Sequence, residues 1–207
     1  FEYQAGIRGE YSKVETELIS TNDKNVKEIF TIYPTLHVSY EFNEANKIQA
    51  GYSRRVNRPR TFYLNPYEER MDAFTIRKGN PDLDPEYAHS LEMNYLKYIG
   101  KAFINTSVFY RQTDNNIGRI QKIIDENTTI MTFDNINKES SLGVEISARN
   151  KFTKWLSLNA SYSFFKYNIE GSIDGEDLSN QSLNHKVNGN ANINIGKNAS
   201  LQVFGMY

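Results

Sequence analysis

The sequence contains no cysteine, which excludes disulfide bridges and thiolate metal sites. It also lacks a run of about 18 apolar residues, so no transmembrane helix is predicted. The formal net charge is only −1, which gives no electrostatic basis for a nucleic-acid partner. No basic segment followed by an apolar stretch opens the chain at Phe1, so no signal peptide is predicted. We therefore expect either a matured protein or an excerpt of a longer one.

Tryptophan is nearly absent, with one residue, whereas tyrosine and phenylalanine are abundant, with 14 and 12. The chain as a whole is nevertheless polar, with a mean hydropathy of −0.63. Aromatic residues in a polar background are typical of β-structure whose two faces meet different environments. An ordinary tyrosine-rich antiparallel sheet has the same composition, so composition alone leaves both possibilities open.

Apolar and polar side chains alternate along most of the chain, which predicts β-strands. Between residues 28 and 42, for example, Phe30 and Ile32 share one face while Thr31 and Ser39 share the other. We predict nine strands, at residues 1–19, 27–42, 46–56, 86–98, 101–112, 139–150, 155–168, 185–195 and 199–207. Many reach about 10–13 residues, the length at which a tilted strand crosses a bilayer.

The connections between these strands alternate in kind along the chain. Short ones are predicted at 42–47, 98–101, 152–155 and 195–200, and long or polar ones at 20–25, 57–85, 113–138 and 169–184. A hairpin at 116–136, turning at Asp125–Thr128, is predicted to extend one of the long connections. Short periplasmic turns and long external loops are typical of bacterial outer-membrane barrels. The sequence therefore predicts an all-β fold, an antiparallel up-and-down transmembrane β-barrel.

Nine is an odd number of strands, and single-chain bacterial barrels have even numbers. We therefore expect residues 1–207 to form a partial barrel domain that is incomplete at both ends. Aromatic residues cluster where the strands approach the short turns, as an interfacial girdle would. The girdle candidates are Tyr40, Phe42, Tyr95, Tyr98, Phe152 and Trp155.

Catalytic and metal-binding patterns find little support. The three histidines, His37, His89 and His185, lie in three different predicted strands without ligand spacing. The acidic stretch 82–86 lacks the six or more converging oxygens that Ca²⁺ requires, so a solvated loop is favoured. We expect no enzyme activity, no metal site and no cofactor.

Residues 51–67 and 78–95 resemble the barrel of TonB-dependent outer-membrane receptors, especially the Bacteroidetes-type outer-membrane β-barrel family. An Arg-Arg stretch there leads into an external loop, and a Gly-Asn-Pro-x-Leu-x-Pro-Glu motif announces the next strand. The matching residues here are Arg54, Arg55, Arg58, Pro59, Asn65, Pro66, Gly79, Asn80, Pro81, Leu83, Pro85, Glu86, Glu92 and Tyr95. The diagnostic motifs lie within these two segments, although the pattern of strands and loops extends over the whole chain.

The resemblance implies a barrel of about 22 strands, located in the bacterial outer membrane and in contact with its lipid. It also implies energised import of a nutrient such as a glycan, siderophore or peptide. A plug domain and TonB would act through regions outside this sequence, and a surface lipoprotein is a further expected partner. No plug and no TonB-contacting segment is recognisable here, so the nutrient stays open.

The motif also has a physical interpretation. Pro81 and Pro85 cannot donate ladder hydrogen bonds, so they fix where strand pairing restarts. Gly79 and Asn80 tolerate positive φ, which suits them to the preceding turn. Arg55 is expected to form an ion pair with Glu86 or Glu92 across neighbouring strands, because all three fall on the polar face. Arg54 falls on the apolar face, where its long side chain can snorkel.

Tyr63, Tyr67 and Phe74 are the candidate ligand contacts in the large connection, because aromatic side chains bind sugars and chelates at low entropy cost. Packing of the connection on itself explains them equally well. Two other functions stay open: a soluble extracellular β-sandwich for binding or adhesion, and a structural outer-membrane barrel without transport. The sandwich predicts strands of about 6 residues and two stacked sheets.

Overall fold

Nine long strands follow one another in chain order through one sheet. The computed structural model describes residues 1–125, 127–173, 176–196 and 199–207. The long strands are β1 (Glu2–Leu18), β2 (Asp23–Asn43), β3 (Asn46–Asn57), β6 (Glu86–Ile99), β7 (Ala102–Asp125), β8 (Thr128–Lys151), β9 (Leu156–Ile173), β11 (Asn180–Ile195) and β12 (Ala199–Met206). The shorter elements are α1 (Thr61–Leu64), β4 (Glu69–Arg70), β5 (Thr75–Arg77) and β10 (Glu176–Asp177).

The long strands pair in the order β1-β2-β3-β6-β7-β8-β9-β11-β12, and every neighbouring pair is antiparallel. This arrangement confirms the predicted antiparallel up-and-down fold. Among the described residues, no helix is long and apolar enough to cross a membrane.

One face of the sheet is apolar and exposed, as strand periodicity predicts. On β8, Leu142, Val144 and Ile146 are 57%, 42% and 49% exposed, whereas Gly143 between them is buried. On β2, Phe30 is 68% exposed and its neighbour Thr31 only 7%. We call the side of Val144 the apolar face and the opposite side the polar face. Such an apolar face requires an apolar solvent.

Among the residues that the structure describes, no second sheet is stacked on this one. Within the described residues, the buried hydrophobic side chains are few, namely Tyr33, Leu64, Leu83, Phe109, Ile120 and Phe133. A β-sandwich places a continuous dry core between two sheets. The soluble sandwich therefore does not describe this fold.

Strand pairing occupies most of the residues that the sequence suggested as long or polar connections. β1 ends at Leu18 and β2 begins at Asp23, so the connection near 20–25 is a tight turn, in which Asn22 adopts a φ of 58°. The predicted outer hairpin is confirmed as a continuation of β7 and β8, and β9 and β11 likewise extend into 169–184. Where a strand is surrounded by water, polar residues occur on both of its faces, so the sequence shows no alternation of apolar and polar residues. The hydrogen bonds between the paired strands continue nevertheless.

Several predicted turns fall partly outside the described residues. Residue 126 of the outer hairpin, 174–175 of the segment 169–184, and 197–198 of the short turn at 195–200 are in this group. The short turns at 44–45, 100–101 and 152–155 are all described, and each lies at the same end of the sheet. The long connection 58–85 lies at the opposite end, which we call the outer end.

Candidate functional site in the outer connection

The connection 58–85 folds against the outer arm of the β7–β8 hairpin. Its strand β5 pairs in parallel with β8, matching Thr75 to Thr129 and Ile76 to Ile130, and β4 pairs antiparallel with β5. We call residues 58–85, 115–125 and 127–137 together the outer subdomain. Because its backbone is tied to the sheet, the connection is a folded unit rather than a free loop.

A small hydrophobic core holds the outer subdomain together. Leu83 of the motif is only 2% exposed and packs with Leu64 and Phe133, while Tyr63 and Ile117 cover the cluster. The Tyr63 and Phe133 rings lie 4.3 Å apart. Full burial of such a side chain stabilises by about 1.5–3 kcal/mol. Leu83 therefore anchors the motif, and Tyr63 takes part in packing.

Gly79 allows two backbone segments to approach each other closely. Its N–H donates to the Asn65 carbonyl at 2.8 Å. An added Cβ would lie 2.5 Å from that oxygen and 2.6 Å from the Tyr63 carbonyl oxygen. Gly79 and Asn80 are not among the residues with positive φ, so the turn does not use their tolerance for that conformation. Glycine is required here by space and not by φ.

We expect Gly79→Ala to unfold the outer subdomain, because the new methyl group meets rigid backbone atoms. Overpacking of this kind costs about 1–3 kcal/mol. Accessibility of residues 58–85 to protease on intact cells measures the effect. Gly189→Ala is the control, since nothing lies within 4 Å of its Cβ position. Equal resistance of both variants would contradict the packing role of Gly79.

Asn80 fixes the turn that follows Gly79. Its backbone N–H donates to the Tyr63 carbonyl at 2.6 Å. Its side-chain Nδ2 donates to the Phe133 carbonyl at 3.1 Å, and its Oδ1 accepts from the Asp82 N–H at 2.9 Å. The asparagine thus joins α1, β8 and the motif through one side chain and one amide.

The side chain of Asn135, on β8, forms hydrogen bonds with the backbone of the second half of the motif, in the way that a neighbouring strand would. Its Oδ1 accepts from the Asp84 N–H at 2.7 Å, and its Nδ2 donates to the Asp84 carbonyl at 3.0 Å. The same Nδ2 donates to the Asn115 carbonyl at 2.7 Å. These bonds satisfy backbone groups that no strand partner reaches.

The outer end of β2 also contacts the motif. Lys27 forms an ion pair with Asp84 at 2.7 Å and donates to the Asp82 carbonyl at 2.6 Å. Asn25 donates to the Asp82 carboxylate at 2.8 Å. The acidic residues of the motif therefore tie the outer subdomain to the β1–β2 hairpin. More than fifty residues separate these partners, so the sequence carried no local signal for them.

The prolines and Glu86 end the motif. Pro59, Pro81 and Pro85 line a cavity of about 150 Å³ between the outer subdomain and the ends of β1 and β2. Glu86 opens β6, where it accepts from the Ile117 N–H at 2.8 Å and from the Asn57 side chain. Glu86 thus closes the turn on both neighbouring strands.

The predicted ion pair of Arg55 with Glu86 or Glu92 is wrong: among the described residues, no carboxylate lies within salt-bridge distance of Arg55. Glu86 is taken by backbone and amide donors, and Glu92 accepts from the Ser107 hydroxyl at 3.2 Å. Short hydroxyl and amide partners on adjacent strands reach these carboxylates more directly than a long arginine does.

The other two arginines of the motif bind elsewhere. Arg54 donates to the Ile32 carbonyl at 3.3 Å, and its guanidinium lies 4.5 Å from the centre of the Tyr87 ring. Arg58 forms an ion pair with Glu10 of β1. Both contacts bridge strands near the outer end, where β2 and β3 stop pairing beyond Thr35.

Three aromatic side chains of the connection are exposed: Phe62, Tyr67 and Phe74. Phe62, which is 47% exposed, also packs against Phe133. Tyr67 is 60% and Phe74 is 62% exposed.

Side-chain turns shape the backbone at Tyr67 and Phe74: Asn65, which precedes Pro66, accepts from the Tyr67 N–H at 3.1 Å, and Asp72 accepts from the Phe74 N–H at 2.7 Å. The Phe74 N–H lowers the pKa of Asp72, because it favours the carboxylate. These turns position both rings at the surface.

A groove of about 530 Å³ runs along the polar face of β1, β2, β3 and β6. Its polar lining includes His37, Arg55, Ser90, Glu92 and Asn94. Within the described residues, no cluster of three or more His, Asp or Glu side chains is arranged for a metal ion. The groove therefore offers hydrogen-bonding groups of mixed charge.

The family model for the outer membrane protein beta-barrel family matches residues 1–207. The chain belongs to this family. The exposed apolar face is accordingly the face that contacts lipid, and the protein is located in the bacterial outer membrane. The polar face is the one that faces the barrel interior.

Solved structures show the same fold at low sequence identity. The siderophore receptor PirA from Pseudomonas aeruginosa has a TM-score of 0.59 and 16% identity, over 96% of this chain and 44% of that chain. The copper transporter OprC has a TM-score of 0.57 and 10% identity, over 98% and 39%. The FrpB iron transporter from Neisseria meningitidis has a TM-score of 0.56 and 12% identity, over 93% and 36%.

The chain thus spans less than half the length of these three structures. No curated protein matches it. By their names, the three are receptors or transporters and not enzymes. At such identities the likeness shows a shared barrel fold.

Proposed function

We propose that the chain forms part of the wall and outer connections of a TonB-dependent receptor that imports a nutrient such as a glycan, siderophore or peptide. The observation that carries the proposal is the outer subdomain, which is folded around Leu83 and presents exposed aromatic rings above a polar interior face. A barrel that serves only as a structural anchor has no need for so many bonds holding one outer connection. The fold that the chain shares with receptors and transporters supports the same function.

The proposal includes further strands beyond the nine. Within the described residues β1 pairs only with β2, and β12 only with β11. Unpaired strand edges are not tolerated in lipid, because their backbone groups would lack hydrogen-bond partners. We therefore assign residues 1–207 to a section of a closed barrel, with β1 and β12 completed by additional strands.

The groove on the polar face would contact the plug domain of the complete receptor. Arg55 is exposed there, without an ion pair within the described part of the chain, and Glu92 is held by a neutral serine. A polar domain in the barrel could supply opposite charges to both. TonB would act through that domain and not through this chain.

Nutrient contact is assigned to Tyr67 and Phe74, because their rings are the most exposed in the connection, whereas Phe62 contacts Phe133 and Arg77. Tyr63 was an equal candidate from sequence, but it packs against Phe133 and would act mainly by shaping the site. The rings of Tyr67 and Phe74 both sit on side-chain turns that limit their motion. Rigid aromatic contacts of this kind often dominate binding energy.

We expect the double change Tyr67→Ala with Phe74→Ala to weaken nutrient binding about tenfold or more, which corresponds to about 1.4 kcal/mol. Full-length receptor would be titrated with ferric siderophores, oligosaccharides and short peptides, and uptake measured in cells with and without TonB. Ile19→Ala in the β1–β2 turn is the control, because it is 89% exposed but belongs to no predicted site. Equal uptake in cells with and without TonB, or no uptake of any probe, would favour a structural barrel without transport.

A further inference from the structure

The sheet opens between β2 and β3 towards its outer end. The pairing of these two strands stops at Thr35 and Ser53. β2 nevertheless stays paired with β1 as far as Asp23, and β3 stays paired with β6 as far as Asn57. Two paired ribbons therefore separate at this level. The backbone groups on their facing edges lack the partners that a continuous sheet would give them, so other groups must satisfy them.

A recess of about 640 Å³ lies at this gap, between β1, β2, β3 and the start of the outer connection. Arginine dominates its charged lining. Within the described residues, the charged side chains that line it are four cations and one anion, which gives a formal charge of +3, namely Arg8, Arg54, Arg55, Arg58 and Glu10. We call this space the arginine recess. Its excess of positive charge is local, since the whole chain carries a net charge of −1.

The one carboxylate of the lining is shared by two of the arginines. Glu10 forms an ion pair with Arg8 through Oε1 and with Arg58 through Oε2. The Glu10 side chain is only 17% exposed, so both guanidinium groups are drawn into the recess. Two cations around one anion leave one positive charge uncompensated.

The other two arginines of the lining have no carboxylate partner among the described residues. Arg54 donates through Nη1 to the Ile32 carbonyl and stacks on the Tyr87 ring, but its Nε is buried without an acceptor in the described part of the chain. Arg55 is exposed. A buried donor without an acceptor is costly, and an acceptor that enters the recess would remove this cost.

The lining is suited to oxyanions. Guanidinium groups bind carboxylate and phosphate oxygens with paired, charge-assisted hydrogen bonds. Tyr33, which is 8% exposed, adds a phenol to the same lining. The volume lies within the range of about 300–1,000 Å³ that is usual for small-molecule sites. Arg8, Glu10 and Arg55 belong to the polar face, so a solute would enter from the barrel interior.

We propose that the arginine recess binds a small solute that carries two or more carboxylate or phosphate groups. The anion would compensate Arg54, Arg55 and the surplus charge around Glu10. It would also connect the β1–β2 hairpin with β3 where strand pairing has stopped. A neutral sugar supplies no charge for this role. The site is separate from Tyr67 and Phe74, and its occupation does not depend on the proposed transport.

The test is calorimetric titration of the full-length protein, in a neutral detergent at low ionic strength, with pyrophosphate and with tricarballylate. We expect both anions to bind, neutral raffinose not to bind, and added sodium chloride to weaken the binding. Arg55→Gln should weaken anion binding about tenfold, and because Arg55 has no ion pair in the described residues, its removal breaks none. Arg60→Gln is the matched control, since Arg60 is an exposed arginine of the same connection outside the lining.

Glu10→Gln is expected to change the affinity in the opposite direction. The variant removes the carboxylate that competes for Arg8 and Arg58, so both anions should bind more tightly. Weaker binding in Glu10→Gln would overturn the proposal, because the arginines would then serve that carboxylate alone. No binding of either anion, or equal affinities of Arg55→Gln and Arg60→Gln, would overturn it as well. Heat-modifiable gel mobility verifies that each variant is folded, and none of these results depends on TonB or on uptake.

Discussion

Val144→Arg is expected to destabilise the barrel by about 2–4 kcal/mol, the cost of an arginine at the middle of a lipid-facing strand. Val144 is 42% exposed and lies between Val108 and Phe164 on the neighbouring strands. Lipid would surround the new guanidinium, and no carboxylate stands at the paired positions. The free energy of unfolding of the full-length protein in lipid vesicles, from urea titration, measures the loss.

Two controls separate lipid exposure from local crowding. Val144→Leu keeps the site apolar and should change the free energy by less than about 1.5 kcal/mol. Ser147→Arg places the same charge on the polar face of the same strand, where water or a polar domain can solvate it. If Val144→Arg were as stable as Ser147→Arg, the apolar face would not be a lipid face.

Leu83→Ala is expected to cost about 2–5 kcal/mol within the outer subdomain, the usual range for a buried leucine. Leu83 is 2% exposed and fills the centre of the Leu64–Phe133 cluster. Because the cluster lies outside the paired strands of the membrane region, the loss should open residues 58–85 while the barrel stays folded. Proteolysis tracks the population of such an open state.

The measurement is the rate of cleavage within residues 58–85 on intact cells, with gel mobility of the barrel recorded in parallel. A loss of 1.4 kcal/mol or more corresponds to at least a tenfold faster rate. Leu83→Met keeps most of the volume and should cleave nearly as slowly as the wild type. Equal cleavage rates for the Leu83→Ala and wild-type proteins would mean that residues 58–85 stay folded without the packing of Leu83.

The membrane part of the fold could be predicted from sequence because one rule governs it. The alternation around Leu91 and Met93 placed β6 at 86–98, and the structure has Glu86–Ile99. The turn positions were predicted where this alternation stopped, as at the hairpin near Asp125. Because one face of each strand meets lipid and the other meets water, apolar and polar residues alternate along the sequence with a period of two.

The outer subdomain could not be predicted in the same way. The parallel pairing of β5 with β8 joins residues more than fifty positions apart, and the contact of Lys27 with Asp84 has a similar separation. The motif itself was recognisable from the sequence, but the structural role of its residues was not. Gly79 proved to be needed for close backbone approach, and Leu83 for a core whose partners lie in distant strands.

The polar side chains of the sheet differ between the middle of the wall and its outer end. Serine and asparagine reach the carboxylates on the polar face, as Ser107 does for Glu92 and Ser163 does for Glu145. At the outer end, Arg58 forms an ion pair with Glu10 and Arg54 donates to the Ile32 carbonyl. The wall is thus stiffened by short bonds, and Arg58 ties β1 to the outer subdomain.

Nitroxide labels along β8, at residues 142 and 144–149 of the full-length protein in a bilayer, test whether one face of this strand meets lipid. Gly143 is left unchanged, because a Cβ there would lie 2.4 Å from the Phe165 Cβ. Oxygen, which concentrates in lipid, should relax the labels at 142, 144, 146 and 148, and a water-soluble nickel complex should reach those at 145, 147 and 149 unless the interior is filled. We expect this period of two in oxygen access across the whole segment. Uniform oxygen access, or a period near that of a helix, would contradict it.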